Sequence, residues 1–304
     1  MIKLSKIYDI TLKFRFAKKS DKEQILKFCI NTFDWGDYID QVWDLWFSES
    51  NGALIVAENG TNDNKGSAIA FSHVSLCPNR RNIWIEGIRV NPDYRRRSIA
   101  TDLLRKMLSY GKLQGAKEAS AIVGVNNLPS QLMMKKNGFD VISKWSYYNI
   151  YKAQELGKVN ARIATFNDIK KVWEYLDQSQ IYKSCGKRYV NSWRWYSFDS
   201  KALSNIIKYE KLVIAGNDGI EGVAIINKDG YWTKNDVFQV VYLDATTISS
   251  LCDLIGFVIL LVHSTDDQYK RIQIFSPQVK NISLVMEELD IINSEEFLLY
   301  TKVI

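Results

Sequence analysis

The sequence predicts an α/β protein made of two similar domains. Its 304 residues are too many for one typical core and suit two domains of about 150 residues each. The chain is 46% hydrophobic and 24% charged, which is an ordinary globular composition. A seven-residue pattern, Arg-apolar-Ala-x-x-(Ser/Asn)-Asp, occurs twice, at Arg15 to Asp21 and at Arg162 to Asp168. A repeat of this kind indicates duplication of a folding unit.

Each copy of the pattern predicts a short strand that ends at a polar N-cap and is followed by an amphipathic helix. Both halves then continue with an aromatic-rich stretch that we expect to be helical, Asp34 to Phe47 and Tyr189 to Phe198. Two predicted strands follow in each half, Ala53 to Ala57 and Gly66 to Val74 in the first, Leu212 to Ala215 and Gly219 to Asn227 in the second. We therefore predict domains over residues 1–152 and 160–304, joined by the polar stretch Lys152 to Asn160.

Composition and charge exclude several classes of protein. The net charge of +6 favours an anionic ligand but is far below that of a dedicated nucleic-acid binder. The four cysteines are scattered, which predicts reduced thiols, and two histidines cannot complete a zinc site with them. The first residues lack the apolar stretch of a signal peptide, and Leu254 to Val262 is too short to cross a bilayer. We expect a soluble cytoplasmic protein without metal, membrane or nucleic-acid partners.

An arginine-rich turn is the strongest candidate for a binding site. Asn82 to Val90 predicts a strand, and Asn91 to Tyr94 predicts a turn. Arg95, Arg96 and Arg97 follow, and then a helix begins for which Ser98 is a candidate cap. Backbone N–H groups and the helix dipole converge at such a turn, and three guanidinium groups add charged donors. This combination suits a pyrophosphate better than a lone carboxylate.

Two motifs carry a resemblance to a known family. Val90-x-Pro92-x-Tyr94-Arg95-x-x-Ser98-Ile99-Ala100 resembles motif A of the GNAT superfamily of N-acetyltransferases. After a predicted strand, Ala119 to Val125, the runs Asn127-x-x-Ser130 and Lys136-Asn137-Gly138-Phe139 are similar to its motif B. A closing strand, Asp140 to Ile150, follows. The resemblance covers the first half directly and reaches the second half through the repeat.

The resemblance implies two GNAT-like domains, each with a mixed, mostly antiparallel central sheet flanked by helices. Two central strands would splay apart, and acetyl-CoA, as co-substrate, would lie in the gap. The backbone of Ile88, Arg89 and Val90 would bind the pantetheine arm like an added strand. Asn127 would contact the cofactor near its thiol, although it could simply cap the following helix. The pyrophosphate would be held by backbone amides of Arg95, Arg96, Arg97, Ser98, Ile99, Ala100 and Thr101.

Acyl transfer to an amine needs a base, because the nucleophile must lose a proton. The family often takes a carboxylate from this strand, so Glu86 is the candidate, with a carboxylate in a rim salt bridge as the plain alternative. Strand alternation predicts that Ile88 and Val90 share the face of Glu86, which we assign to the cleft.

Two residues depart from the family pattern. Ser98 replaces a glycine, and its hydroxyl could donate to the phosphate instead. Met134, counted among the cofactor contacts, stands where many relatives have a tyrosine that protonates the leaving thiolate, and methionine has no proton to give. Either Tyr38, Tyr147 or Tyr148 substitutes, with Tyr38 the candidate catalytic residue, or the thiolate leaves without an acid.

The second half lacks the phosphate-binding motif. At the matching position it reads Val241 to Thr247 without arginine or a Val-x-Pro sequence, and then a helix from Ile248. We expect a degenerate GNAT-like domain without a second CoA site. It would close the acceptor pocket, pair with the first sheet or form a homodimer.

The sequence therefore predicts an acetyl-CoA-dependent N-acetyltransferase that acts on a small-molecule or peptide amine by direct attack in a ternary complex. Two rival functions use the same turn. A catalytically silent CoA-binding regulator or sensor would bind acyl-CoA without transfer. A nucleic-acid-associated module would bind with steep salt dependence, which the moderate charge disfavours.

Overall fold

The structure, a computed structural model, describes residues 12–60, 66–78, 81–151, 157–265 and 268–304. These residues form two compact units. The first contains the described residues up to Ala121 together with Lys302–Ile304, and the second contains Ile122–Thr301. The start of the chain and most of the predicted linker lie outside the described residues. The functional division into domains at 152–160 stays a prediction.

The first unit has a sheet in the order β1-β2-β3-β4-β5. Its pairings are antiparallel except that of β4 with the start of β5, which is parallel over Asn82–Trp84 and Glu118–Ser120. The elements are β1 (Leu12–Phe16), α1 (Lys22–Cys29), α2 (Ile39–Ser48), β2 (Gly52–Asn59), β3 (Ser67–Leu76), β4 (Asn82–Val90), α3 (Ile99–Leu113) and β5 (Glu118–Gly124).

Helices cover both faces of this sheet. The ring of Phe71 on β3 contacts Trp43 of α2 at a centroid distance of 5.7 Å, and Ser72 Oγ lies 2.9 Å from Met107 Sδ of α3. Because neighbouring strand residues point to opposite faces, α2 and α3 lie on opposite sides of β3. Trp43 and Trp46 are buried core residues.

The second unit has a sheet in the order β14-β6-β13-β12-β11-β10-β7, in which only β12 and β13 are parallel among the described pairings. The strand β6, which closes the predicted first domain, is hydrogen-bonded on both sides to strands of the second half. The elements are α4 (Leu128–Lys136), β6 (Asp140–Ile150), β7 (Ala161–Ile163), α5 (Ile169–Gln178), α6 (Gln180–Ser184), β8 (Arg188–Asn191), β9 (Arg194–Ser197), α7 (Ser200–Lys208), β10 (Leu212–Ala215), β11 (Gly222–Asn227), β12 (Val237–Ala245), α8 (Ile248–His263), β13 (Arg271–Pro277), α9 (Lys280–Glu288) and β14 (Ile292–Val303).

The repeated motif has the same structure in both copies. Arg15 Nη1 and Nη2 donate to Asp21 at 2.7 and 2.9 Å, and Arg162 makes the same pair of bonds to Asp168 at 2.8 and 2.7 Å. Each aspartate also accepts the backbone N–H three residues earlier, from Lys18 or Thr165. The arginine near the end of the strand thus fixes the carboxylate that closes the 3-10 turn before the helix, which explains the spacing of six residues.

The aromatic stretch of the second half was predicted wrongly. Tyr189 to Phe198 forms a hairpin of β8 and β9 instead of a helix. Tyrosine, valine and tryptophan favour strands. At the turn, Ser192 and Trp193 both have positive φ, 49° and 65°, which matches a two-residue hairpin turn.

The longest apolar run forms part of α8, as predicted. Leu254, Ile255, Val258 and Ile259 are buried in the hydrophobic core of the second unit. None of the helices built by the described residues is both long enough and apolar enough to span a membrane.

Candidate active site in the first unit

A β-bulge in β4 determines which side chains share a face. His73 pairs with Glu86, but Phe71 pairs with Arg89, so β4 has one extra residue between the two pairs. Phe71 and His73 are two apart and point to the same face, which therefore also carries Glu86 and Arg89. The predicted common face of Glu86, Ile88 and Val90 is wrong, because the extra residue shifts the alternation.

Gly87 makes this bulge compatible with the packing of α2. Its φ is +68°, and a Cβ at this position would lie 2.6 Å from the Trp46 ring. Trp46 is 3% exposed and stacks on His73, with ring centroids 4.7 Å apart and planes at 5°. Glycine is therefore required both for the backbone conformation and for the close approach of the indole.

Both carboxylate oxygens of Glu86 have hydrogen-bond partners. Oε1 lies 2.9 Å from His73 Nδ1, and Oε2 accepts a bond of 3.1 Å from Trp84 Nε1. The Glu86 side chain is 12% exposed, so it is largely buried and still in contact with solvent. This environment fixes the orientation of the carboxylate, as a general base requires.

Sequence reasoning considered His73 only as a zinc ligand and did not place it beside Glu86. The residue is fully buried, and its Nε2 lies 3.4 Å from Glu49 Oε2 on the side opposite Glu86. Nothing in the spacing of the sequence signals this contact, because it depends on the register of β3 against β4 and on the chain that follows α2.

Tyr38 lies beside an ion pair at the start of α2. Arg89 donates to Asp37 with Nε and Nη2 at 2.7 and 3.0 Å, and its guanidinium lies 5.3 Å from the centre of the Tyr38 ring. Burial raises the pKa of Tyr38; the Arg89 charge opposes the rise, while Glu86 and Asp37 reinforce it. Tyr38 therefore keeps its proton at neutral pH, which suits a proton donor and excludes a base.

The arginine-rich turn leads into α3 through two left-handed residues. Residues Pro92–Tyr94 form a 3-10 turn, and Arg96 and Ser98 have φ of 62° and 60°. The expectation that the Ser98 side chain caps α3 is wrong, since in its left-handed conformation it makes no capping bond. Glycine adopts that conformation without the steric cost of a Cβ, which is the physical reason for glycine in the family pattern.

This turn has the features of an anion-binding site. The first N–H groups of α3 have no acceptor within the helix, and they open at the turn where the helix dipole is positive. Left-handed residues between ordinary ones also turn successive N–H groups toward one concave surface, which is an anion-binding arrangement. Arg95, Arg96, Arg97 and Ser98 are exposed at its rim.

Two predicted cofactor contacts belong to the second unit. Asn127 caps α4, with its Oδ1 accepting the Ser130 N–H at 3.2 Å, and its side-chain amide can still act as a donor. Met134, also on α4, is 2% exposed.

The two alternative proton donors of β6 are engaged within the second unit. Tyr147 donates to Asn149 Oδ1 at 3.0 Å and accepts from Gln273 Nε2, and burial raises its pKa to about 12. Tyr148 belongs to the hydrophobic core.

The matching position of the second half has different chemistry. Near the end of β12, Asp244 is buried and accepts hydrogen bonds from Tyr175, Ser179 and Tyr242 at 2.8, 2.6 and 2.8 Å. Burial raises the pKa of Asp244, and the three hydroxyl donors oppose that rise. The next helix begins after Thr247, whose Oγ1 accepts the Ser250 N–H. A carboxylate and a side-chain cap thus stand where the first half has its arginine-rich turn.

Within the part of the chain that the structure describes, no cluster of three or more His, Cys, Asp or Glu side chains could hold a metal ion.

Comparison with known proteins agrees with this architecture. The GCN5-related N-acetyltransferase of Sphaerobacter thermophilus is similar over 96% of this chain and 95% of that one, at 11% identity and a TM-score of 0.61. A tandem GNAT protein from the clavulanic acid biosynthesis pathway is similar over 96% and 98%, at 12% identity and a TM-score of 0.52. Identities this low support the fold alone.

Sequence comparison identifies the first part of the chain more closely. The Histidine N-acetyltransferase of Scomber australasicus is 29% identical over 94 residues, 31% of this chain. The chain spans about a quarter of the length of that relative, 26%. Residues 18–139, which include the bulged strand and the arginine-rich turn, match the Acetyltransferase (GNAT) family. Residues 18–139 are thus similar to the GNAT family of acetyltransferases.

Proposed function

We propose that the protein transfers an acetyl group from acetyl-CoA to a primary amine by direct attack. The observation that carries this proposal is the combination, on one strand, of a solvent-contacting carboxylate at Glu86 and an anion-binding turn that begins after Val90. Acetyl-CoA has a pyrophosphate, which the turn would bind, and a reactive thioester, beside which the carboxylate would act as a base.

The turn would hold the pyrophosphate through the amides of residues 95–101, with the three arginines as charged donors. The pantetheine arm would lie along Ile88, Arg89 and Val90. The Asn91 N–H donates to Ile69 O at 2.8 Å, so the adjacent pair Val90–Ala70 is of the non-hydrogen-bonded type. The Val90 N–H consequently points away from β3, and we propose that it polarises the thioester carbonyl.

Glu86 would take a proton from the acceptor ammonium, directly or through water. The neutral nitrogen would then attack the thioester carbon, a C–N bond would form, and the C–S bond would break. Tyr38 would give its proton to the departing thiolate and would be reprotonated, by way of solvent, by the second proton that the nitrogen loses as the amide forms. The proton taken by Glu86 would pass to solvent. Asn127 and Met134 remain proposed neighbours of the thiol end.

The acceptor is proposed to be a small amine of the amino-acid type, with peptide amines as the broader class. The support is the match of residues 18–139 to the Acetyltransferase (GNAT) family together with the 29% identity, over 94 residues, to the Histidine N-acetyltransferase named above. L-Histidine therefore belongs in any panel of acceptors. A role of the second half in closing the acceptor pocket or in a homodimer is likewise a proposal.

The test measures thiol release and acetylated product for the full chain with acetyl-CoA and a panel of amino acids, amino sugars and peptides. Glu86→Gln is expected to lower kcat by about 10²- to 10⁴-fold without weakening acetyl-CoA binding. Glu23→Gln, a change of the same kind on the exposed side of α1, serves as the control and should leave kcat unchanged.

The other possible results of this test would support a different function or refute part of the proposal. Acetyl-CoA binding without transfer to any amine would support the CoA-binding sensor. Full activity of Glu86→Gln would refute its role as base, and absence of acetyl-CoA binding would refute the function as a whole.

A further inference from the structure

His73 lies between two carboxylates in the core of the first unit. Its Nδ1 is 2.9 Å from Glu86 Oε1, and its Nε2 is 3.4 Å from Glu49 Oε2. The other oxygen of Glu49 accepts a hydrogen bond from Ser75 Oγ, and the other oxygen of Glu86 accepts from Trp84. A chain of polar contacts therefore runs from β4 through the buried imidazole to the residue that follows α2.

The protein holds this imidazole in one orientation. The indole of Trp46 covers one ring face in a parallel stack. A Cβ at Gly52, on β2, would lie 2.6 Å from Nε2, so a glycine leaves room for the ring edge. The ring is fully buried and can neither swing toward solvent nor exchange its partners freely.

The charged and titratable groups around the ring come from three elements. Glu86 faces it from β4, Glu49 from the chain after α2, and Tyr38 lies at the start of α2 beside Trp46. The Nδ1 of His73 can donate to Glu86 Oε1, while its Nε2 faces Glu49. A purely apolar role would need neither carboxylate.

We propose that His73 is a positioning residue that fixes the Glu86 carboxylate for proton transfer, while Glu49 and Trp46 fix His73. This inference rests on the proposed role of Glu86 as the base. The Nδ1–H donates to Oε1, so it orients the carboxylate and favours its ionised form. Glu49 Oε2 lies 3.4 Å from Nε2 on the other side of the ring and, with the Trp46 stack, restricts its rotation.

Kinetics of three variants test the effect on catalysis. His73→Leu removes the donor, and we expect kcat to fall about tenfold or more, with an unchanged KM for acetyl-CoA. The acid limb of the pH profile of kcat/KM should move to higher pH, because the carboxylate has lost a donor that favours its ionised form. His73→Asn, which keeps a side-chain N–H close to the position of Nδ1, should recover much of the lost kcat. His263→Leu changes an exposed histidine and is the matched control.

A second measurement does not depend on turnover. The carboxyl carbon of Glu86 is followed by NMR in protein with ¹³C-labelled glutamate and assigned by its absence in Glu86→Gln. Its titration midpoint should be higher in His73→Leu than in the wild type and should return toward the wild-type value in His73→Asn. Equal midpoints in all three proteins would overturn the inference.

The two measurements separate the two claims. A wild type that transfers no acetyl group would refute the proposed function, while the NMR midpoints would still decide whether His73 controls Glu86. If His73→Leu does not fold, Glu49→Gln replaces it, and its expected effects have the same direction and a smaller size. Wild-type kcat and pH profile in both variants would contradict the positioning role while leaving the proposed function intact.

Discussion

The left-handed backbone of Ser98 puts a residue with a Cβ in a conformation that glycine adopts more easily. For a residue other than glycine this conformation costs about 1 kcal/mol. Ser98 makes no capping bond to offset that cost. The turn therefore keeps its shape because Arg95 to Ile99 is tied on both sides, by the 3-10 turn before it and by α3 after it.

Replacing Ser98 by glycine should stabilise the protein. We expect Ser98→Gly to raise the free energy of unfolding by about 0.5–1 kcal/mol, since relief of strain exceeds the greater freedom of glycine in the unfolded chain. Urea unfolding measures this change. Ser109→Gly, inside α3 and exposed, should lower the free energy of unfolding by about 0.5–1 kcal/mol instead. A lower stability of Ser98→Gly would contradict the assigned strain.

The sequence could predict the residues of the turn but not the surroundings of Glu86. Arginines, a proline and a small residue between a strand and a helix point to an anion site by local geometry alone. The contact of His73 with Glu86 depends on the pairing of two strands and on one extra residue in β4, which no local pattern specifies. For the same reason the predicted face of Ile88 and Val90 was wrong, whereas the bounds of the strand, Asn82 to Val90, are confirmed.

At the scale of elements, the bulge of β4 connects the sheet to α2. Gly87 allows Trp46 to lie against the strand, and Trp46 in turn covers His73. Gly87 therefore determines the face of the sheet to which the Arg89 side chain points. It also allows Trp46 to hold the imidazole of His73 beside Glu86.

A side chain at Gly87 should disrupt this contact. Gly87→Ala should lower the free energy of unfolding by about 2–4 kcal/mol, because it combines positive φ with overlap of a buried indole that has no room to move. Gly115→Ala is the control: it has a similar positive φ, +84°, but a Cβ there meets nothing within 4 Å, so only about 1 kcal/mol should be lost. Equal losses in urea unfolding would contradict the packing role of Gly87.

The hairpin of β8 and β9 is an element whose type was predicted wrongly because the repeat was given more weight than the local sequence. The repeat suggested a helix there, by analogy with α2, and the local preference of tyrosine, valine and tryptophan for strands prevailed. The repeat predicted the strands β10 and β11 well, because those belong to the common core of both halves.

At the scale of the whole molecule, the two halves share the pairing of an arginine with the aspartate of the 3-10 turn before the helix. The hydrogen bond from Arg162, against the opposing effect of burial, holds the pKa of Asp168 well below its usual value. For Asp21, burial raises the pKa, but the bonds from Arg15 and Lys18 outweigh it and the net pKa is lowered. One local device thus starts the first long helix of each half.

This device should make stability fall in acid. Because the pKa of each aspartate is lower in the folded protein than in the unfolded chain, about 3.9, its contribution is present above about pH 4 and is lost as the pH falls below that value. Urea unfolding between about pH 6 and pH 3 should show this decrease, and Asp168→Asn should reduce its slope. Asp177→Asn, at an exposed aspartate of α5, should leave the slope nearly unchanged. An unchanged slope in Asp168→Asn would contradict the account.

Under the proposed function, the difference between the two halves predicts how many acetyl-CoA molecules one chain binds. The first half has left-handed residues and three exposed arginines before α3, whereas the second has a buried carboxylate and a side-chain cap before α8. Calorimetric titration of the full chain with acetyl-CoA tests this contrast most directly. We predict one binding site per chain. Neither Glu86→Gln nor a substitution at Asp244 of the second half that preserves the fold should abolish this binding. No binding, or two equal sites, would contradict the account.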